Sequence, residues 1–150
     1  MLQLLLWLLH YSSQELCYNF GMKINPVVHF EMPAKNKKRV SEFYSKVFGW
    51  EMKQMGQEMG NYLMAQTAET DENQMVKTPG AINGGFFDYK DEDGFRVPHV
   101  VISVDDIEKS IEDVKSSGGK VTGEVMDIPG VGKYISFKDS EDNIVGMLQP

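Results

Sequence analysis

The sequence predicts an α+β domain made of two βαβββ modules. Strand and helix patterns occur in the same order in both halves of the chain, and each half opens with a strand that carries a histidine near its start. Internal repetition of this kind indicates that neither half buries its apolar face alone and that the two copies pack together. A length of 150 residues also suits a single domain with its own core.

The first module is predicted to span about residues 22–90. Residues 27–32 read as a strand that Pro33 closes, because proline cannot donate to the ladder of a sheet. Asn36 is the expected N-cap of a helix that ends at Gly49. The buried face of this helix is expected to comprise Val40, Phe43, Tyr44 and Val47. Three strands are predicted after it, at about 51–55, 62–67 and 81–89.

The second module, about residues 95–150, repeats this order. A β-branched strand at 99–104 leads into a helix capped by Asp105 and Asp106, and Gly118 with Gly119 ends that helix. The buried stripe of the helix is expected to contain Ile107, Ile111 and Val114. Three strands are predicted after it, at about 121–126, 133–138 and 144–148. Residues 90–94 are charged and turn-rich, which suits a junction between the modules.

The composition restricts the partners and the compartment. A net charge of −7 argues against binding to nucleic acid, since that affinity rests on clustered basic residues. Mean hydropathy is −0.34, as in a water-soluble protein. Cys17 is the single cysteine, so an internal disulfide and a cysteine-rich zinc site are excluded. We therefore expect a cytoplasmic protein without a nucleic-acid or membrane partner.

Residues 1–21 differ in character from the rest of the chain, and we expect the domain to occupy residues 22–150. Residues 2–9 are apolar apart from Gln3. This run is far shorter than the roughly 20 residues that span a bilayer, and it lacks the basic start and cleavage site of a signal peptide. An extension upstream of the domain is the favoured interpretation. The alternative is a short amphipathic anchor or partner-binding helix.

Seven short segments together resemble a known family across nearly all of residues 22–150. In chain order they are VHFEMP (28–33), FYSKVFGW (43–50), GAINGG (80–85), HVVISVDD (99–106), GGKV (118–121), IPGVG (128–132) and DSEDN (139–143). Each is weak alone, but their order is similar to that of the vicinal oxygen chelate superfamily, which includes glyoxalase I, bleomycin-resistance proteins and extradiol dioxygenases. The resemblance implies a curved eight-stranded mixed sheet around a cup, with the helices outside, and a homodimer.

The alternation of side chains along the strands indicates which of them face the cup. His29 and Glu31 share one face of the first strand, and His99 shares a face with Ser103 in the fifth. The opposite faces are fully apolar and are expected to meet the helices. The residues predicted to line the cup are His29, Glu31, Trp50, Tyr62, Phe86, His99, Ser103, Tyr134, Ser136 and Gly146.

The resemblance also implies a metal site, for which this chain has an incomplete set of ligands. In metal-dependent relatives the first, fourth, fifth and eighth strands contribute His or Gln, Glu, His and Glu. His29 and His99 match the two histidine positions and are suitable ligands for zinc, nickel or iron. The position of the last carboxylate is Gly146, and residues 81–85 of the fourth strand contain no Glu. Glu31 or Asp88 remains as a substitute, so a divalent metal stays a possibility and no cofactor is certain.

Three hypotheses for function follow. The leading one is a protein that binds a small, partly apolar molecule in the cup without the complete glyoxalase metal set. The second is a metal-dependent lyase or dioxygenase that uses His29, His99 and a relocated carboxylate. The third is a non-catalytic subunit that binds a partner protein.

Overall fold

The computed structural model describes residues 23–72, 75–91 and 96–150. Within these residues the order is β1 (Val27–Ala34), α1 (Lys37–Phe48), β2 (Glu51–Gln54), β3 (Leu63–Gln66), β4 (Asn83–Asp88), β5 (His99–Ser103), α2 (Ile107–Ser116), β6 (Lys120–Ile128), β7 (Gly132–Lys138) and β8 (Ile144–Gln149). A short 3-10 helix, Gln57–Met59, lies between β2 and β3. The expected extension, 1–21, and residues 92–94 of the expected linker lie outside the described residues.

All eight strands belong to one sheet, in the order β2-β3-β4-β1-β5-β8-β7-β6. Each module supplies four neighbouring strands, and the modules meet where β1 pairs antiparallel with β5. Within each module the first strand runs parallel to the last, β1 beside β4 and β5 beside β8. The predicted α+β class and the two βαβββ modules are confirmed.

The two helices begin where the sequence predicts. The Asn36 side chain accepts a hydrogen bond from the Arg39 backbone N–H at 2.9 Å, and Asp106 accepts one from Lys109 at 3.0 Å. These side chains cap the first turn of each helix. Gly49 ends α1 with a φ of 70°, a conformation that favours glycine. Among the described residues no helix is long and apolar enough to cross a membrane.

The buried face of α1 is narrower than predicted. Val40 and Tyr44 pack against the sheet, whereas Phe43 and Val47 are 54% and 53% exposed. Successive helical residues are rotated by about 100°, so a helix that rests on a sheet along one stripe leaves the flanking stripe in solvent. The predicted burial of Phe43 and Val47 is therefore wrong. In α2 the predicted stripe is confirmed, with Ile107 and Ile111 buried and Val114 packed beside them.

Strand β1 continues past its predicted end. Pro33 lies opposite Phe87 of β4. The pairing of β1 with β5 ends at Glu31, opposite His99. Proline is tolerated there because its missing N–H costs no ladder bond on the unpaired side.

Phe86 gives a direct test of the first module's core. It is 2% exposed and packs with Ala34, Leu63 and Ala65. We expect Phe86→Ala to lower the free energy of unfolding by about 3–5 kcal/mol, because it removes a buried ring and leaves a cavity. The control Phe43→Ala, at an exposed ring of α1, should cost less than about 1 kcal/mol. Urea denaturation measures both, and equal losses would contradict this assignment of the core.

Candidate functional site

Both helices pack on one face of the sheet, and the opposite face carries the polar side chains. We call it the cup face, defined by six residues of the four central strands: His29, Glu31, Gly85, His99, Val101 and Gly146. The strand register aligns them, because Glu31 lies opposite His99 on one side and Gly85 on the other. Val101 lies opposite His29 and Gly146.

A carboxylate held by two donors lies at the centre of the cup face. The Tyr134 hydroxyl donates a hydrogen bond to Glu31 Oε2 at 2.7 Å, and His99 Nε2 lies 2.8 Å from the same oxygen. The Ser136 hydroxyl is 3.2 Å from that of Tyr134. Strands β1, β5 and β7 each supply one of the three main groups, so the contact joins the two modules.

These contacts decide the charge of Glu31. Burial on its own would raise the pKa of this carboxyl, but the hydrogen bonds from His99 and Tyr134 outweigh burial and lower the pKa below its ordinary value. Hydrogen bonds to an ionised acceptor are stronger than those between neutral groups. Glu31 is therefore a carboxylate at neutral pH, with only 16% of its side chain exposed.

A second pair of polar groups lies on the side of the first module. His29 Nε2 and the Tyr62 hydroxyl are 3.0 Å apart. Burial lowers the pKa of His29, although the charge of Glu31 opposes the shift. Burial, followed by the Glu31 carboxylate, raises the pKa of the Tyr62 and Tyr134 phenols. His29 is therefore neutral at neutral pH, and both phenols keep their protons.

Two strand glycines allow these tyrosines to lie over the sheet. A Cβ atom at Gly146 would come within 2.8 Å of the Tyr134 ring and hydroxyl. A Cβ atom at Gly85 would collide with the Tyr62 ring and lie 2.6 Å from the Leu63 carbonyl oxygen. Glycine inside a strand commonly marks such a close approach. The tyrosine rings therefore occupy the space that side chains at residues 85 and 146 would need.

The arrangement is the same in both modules. Tyr134 of β7 lies opposite Leu148, and Gly146 is two residues earlier on β8. Leu63 of β3 lies opposite Phe86, which places the preceding Tyr62 in the same relation to Gly85 of β4. The two halves thus repeat a histidine, a tyrosine and a strand glycine. Glu31 breaks the repeat, since the matching residue of the second module is Val101.

Most of the predicted cup residues are brought together, but two are not. His29, Glu31, Tyr62, His99, Tyr134, Ser136 and Gly146 meet as described above, and Ser103 lies farther along the same face of β5. Trp50 and Phe86 were predicted to line the cup and instead belong to the core beneath α1, where Trp50 stacks on Tyr44 at 4.6 Å. The run Gly84, Gly85, Phe86, Phe87 does not alternate, so the sequence could not fix which phenylalanine faces which side.

Gly85 and Phe87 lie at the site although neither was among the residues predicted to line the cup. The Tyr62 ring lies over Gly85, in the space that a side chain there would need. The Phe87 ring lies 5.5 Å from that of His99. A glycine in a strand interior was the available signal for Gly85. Phe87 had no signal of its own, because its face depends on the register of β4.

The described residues hold no group of three or more His, Cys, Asp or Glu side chains placed to bind a metal ion. Asp88, considered as a substitute ligand, is wrong for this role because its carboxylate pairs with Lys37 at 2.8 Å at the end of β4. Its strand parity is that of Phe86, on the helix side. Glu31 is the carboxylate that does share a face with both histidines.

One cavity touches the cup face and another lies away from it. A groove of about 410 Å³, mainly on the helix side, is lined by Phe30, Met32, Tyr44, Trp50, Pro98 and Val100, together with Glu31 and His99 of the cup face. A second cavity, of about 490 Å³, lies at the turn between β6 and β7 and against the end of β8.

The comparisons with known proteins agree with this architecture. Residues 27–146 match the family model described as Glyoxalase/Bleomycin resistance protein/Dioxygenase superfamily. A probable lactoylglutathione lyase of Vibrio cholerae is 28% identical over 130 residues, which is 85% of this chain and 93% of that protein. A glyoxylase-like domain-containing protein of Didymella fabae is 31% identical over 116 residues, 75% of this chain and 84% of that protein.

Solved structures share the fold at low sequence identity. A variant of Streptomyces coelicolor methylmalonyl-CoA epimerase in complex with 2-nitronate-propionyl-CoA matches with a TM-score of 0.59 and 13% identity, over 84% of this chain and 97% of that one. A family member from Vibrio splendidus matches with a TM-score of 0.55 and 14% identity, over 85% and 100%. The chain belongs to the glyoxalase, bleomycin resistance protein and dioxygenase superfamily, the vicinal oxygen chelate family that its sequence resembles.

Proposed function

We propose that this protein binds a small, partly apolar molecule on its cup face and does so without a bound metal ion. The network of Glu31, His99 and Tyr134 is the observation that carries the proposal. It offers polar groups at the centre of a face that both modules build, with most of their surface withdrawn from water. Ligand sites commonly combine a few such polar groups with apolar walls.

The metal-free part of the proposal rests on the tyrosine rings. In metal-dependent relatives the fourth and eighth strands supply carboxylates, and here those strands have Gly85 and Gly146 at the cup face. The rings of Tyr62 and Tyr134 fill the space above these glycines. The same exchange in both modules supports a replacement of the metal site rather than the loss of one ligand.

The apolar part of the proposal rests on the side chains around the network. Met64 lies opposite Gly85 and is 39% exposed, and Leu148 lies opposite Tyr134. Phe87 adds an aromatic ring beside His99. Apolar surface next to a charged and hydroxyl-rich centre suits a ligand that has a polar end and an apolar body.

The metal-dependent lyase or dioxygenase stays as a second candidate because His29, Glu31 and His99 share the cup face and a curated relative is named as a probable lactoylglutathione lyase. The geometry favours it less, since His99 Nε2 faces Glu31 and is engaged there. A ligand to a metal would have to leave that hydrogen bond. The expected homodimer and the partner-binding role stay predictions.

A carboxylate at Gly146 tests the replacement of the metal site. We expect Gly146→Glu alone to bind zinc only slightly more tightly than the native protein, because its Cβ atom must first displace Tyr134 from Glu31. Gly146→Glu combined with Tyr134→Ala opens that space and should bind zinc at least about tenfold more tightly, as two histidines and a carboxylate are a common set. Calorimetry gives the affinities.

The control adds His99→Ala to the double variant, and this protein should bind zinc no more tightly than the native protein does. Equal affinity in all four proteins would mean that residue 146 does not face the histidines.

A screen of melting temperatures against small aromatic and thiol-conjugated compounds tests the ligand site. A ligand at about 100 times its Kd should raise the melting temperature by roughly 5 to 10 °C, because it binds only the native state. Met64→Gln, at the residue opposite Gly85 of the cup face, should reduce the shift strongly. Val100→Gln is the matched control, since Val100 is also 39% exposed but borders the helix-side groove. Loss of the shift in Val100→Gln alone would place the ligand in that groove and refute the proposal.

A further inference from the structure

The hydrogen-bond donors of the cup face are already used by its own acceptors. Tyr134 donates its phenol proton to Glu31 Oε2 at 2.7 Å. His99 Nε2, at 2.8 Å, faces the same oxygen, and a carboxylate can only accept, so this nitrogen must carry a proton. Both of these donors therefore point at Glu31 rather than toward a ligand.

The hydroxyl proton of Tyr62, on the side of the first module, is also used by acceptors of the site. Its hydroxyl lies 3.0 Å from His29 Nε2 and also interacts with the Glu31 carboxylate. If Nε2 of the neutral imidazole is the acceptor, the phenol proton goes to His29. If Nε2 carries the proton, the phenol donates to Glu31 instead. In both tautomers the Tyr62 proton stays within the network.

Acceptors remain when these donors are assigned. An ionised carboxylate has about four lone-pair positions, of which Tyr134 and His99 occupy two. A phenol that donates its proton can still accept through its oxygen, as Tyr62 can when it donates to His29, whereas the Tyr134 oxygen already accepts from the Ser136 hydroxyl at 3.2 Å. In the described part of the chain the ion-pair partner of Glu31 is His99, and its cross-strand neighbours on this face are glycine and histidine. A ligand must therefore bring donors to this centre.

The surroundings favour a positive charge on that ligand. The Tyr62 ring lies beside that of His29, and the Phe87 ring lies beside that of His99. Aromatic faces attract ammonium groups. The chain as a whole has a net charge of −7, which attracts cations and repels anions. Ammonium has donors and no acceptor, so it suits the lone-pair positions of Glu31 that Tyr134 and His99 leave open, and its charge is opposite to that of the carboxylate.

We propose that the cup binds a protonated amine whose ammonium group lies beside Glu31 and between the rings of Tyr62 and Tyr134. The apolar body of the amine lies against Met64. This inference rests on the proposed function, because it names the ligand class of the same site.

Three probes of similar size test the charge of the ligand. They are 2-phenylethylamine, 2-phenylethanol and 3-phenylpropanoate, which present an ammonium, a hydroxyl and a carboxylate on a similar body. We expect calorimetry at low salt and neutral pH to show the amine binding at least about tenfold more tightly than the alcohol, and the acid most weakly. Equal affinity of amine and alcohol would overturn the inference, as would tighter binding of the acid.

Two variants assign the preference to Glu31. Glu31→Gln removes the charge with little change in size and should abolish the preference for the amine over the alcohol. Glu51→Gln on β2 changes the net charge by the same amount and should leave the preference intact, so a persisting preference in Glu31→Gln refutes the inference. If Glu31→Gln does not fold, Tyr62→Phe keeps the ring and removes an acceptor oxygen. It should weaken amine binding several-fold, and unchanged binding would refute the inference.

The two proposals can fail separately. If none of the three probes binds, the amine inference is wrong. The small-molecule site itself still stands if another compound gives a shift in melting temperature that depends on Met64. If no compound gives a Met64-dependent shift, the proposed function is wrong as well.

Discussion

The Glu31 carboxylate is the constraint on which the candidate site depends. It projects from β1 beside the line where the two modules meet, and its two hydrogen-bond donors, His99 and Tyr134, both belong to the second module. Withdrawing a carboxylate from water is costly unless hydrogen bonds compensate for the lost hydration. His99 and Tyr134 therefore stay in place, because moving either one would leave Glu31 out of water without a hydrogen bond that compensates for it. This fixes the Tyr134 ring over Gly146 and the orientation of the His99 imidazole.

Duplication explains the rest of the cup face, and the exception to it gives the face its chemistry. Each module places a histidine, a tyrosine and a strand glycine at matching positions, so the two halves alone would build a symmetric and uncharged centre. Glu31 stands where the second module has Val101, and this one difference makes the centre ionic. Buried ionisable groups in a cleft frequently mark functional sites. The asymmetry is therefore a better guide to the ligand than the repeated residues are.

Much of this could be predicted from the sequence, because periodicity records which face a side chain takes. Strand alternation placed His29 and Glu31 on one face. The N-cap at Asn36 could be predicted because a short polar residue precedes an apolar repeat with helical spacing. Burial across α1 was overestimated, since the sequence does not state how wide a stripe the sheet covers. Trp50 and Phe86 were misplaced because neither lies in a segment with clear alternation.

The pairing of tyrosine with glycine could not be predicted, because it depends on strand register. Gly146 was recognised as a missing side chain, but only the alignment of β7 with β8 brings Tyr134 over it. The same holds for Tyr62 and Gly85, which are separated by a long connection between β3 and β4. The positions at which the sequence has glycine instead of a metal ligand are thus filled in the fold by tyrosine rings.

The pH dependence of stability tests the central role of Glu31 most directly. The pKa of Glu31 in the folded protein is below its ordinary value of 4.5, so its stabilising contribution is fully present above about pH 4.5 and is lost as the pH falls through the folded pKa. Urea denaturation of the native protein and of Glu31→Gln should differ by about 1.5–3 kcal/mol at pH 7, the range for hydrogen bonds to a charged group. The difference should shrink toward pH 3. A difference that stays constant from pH 7 to pH 3, or that grows on acidification, would contradict this account.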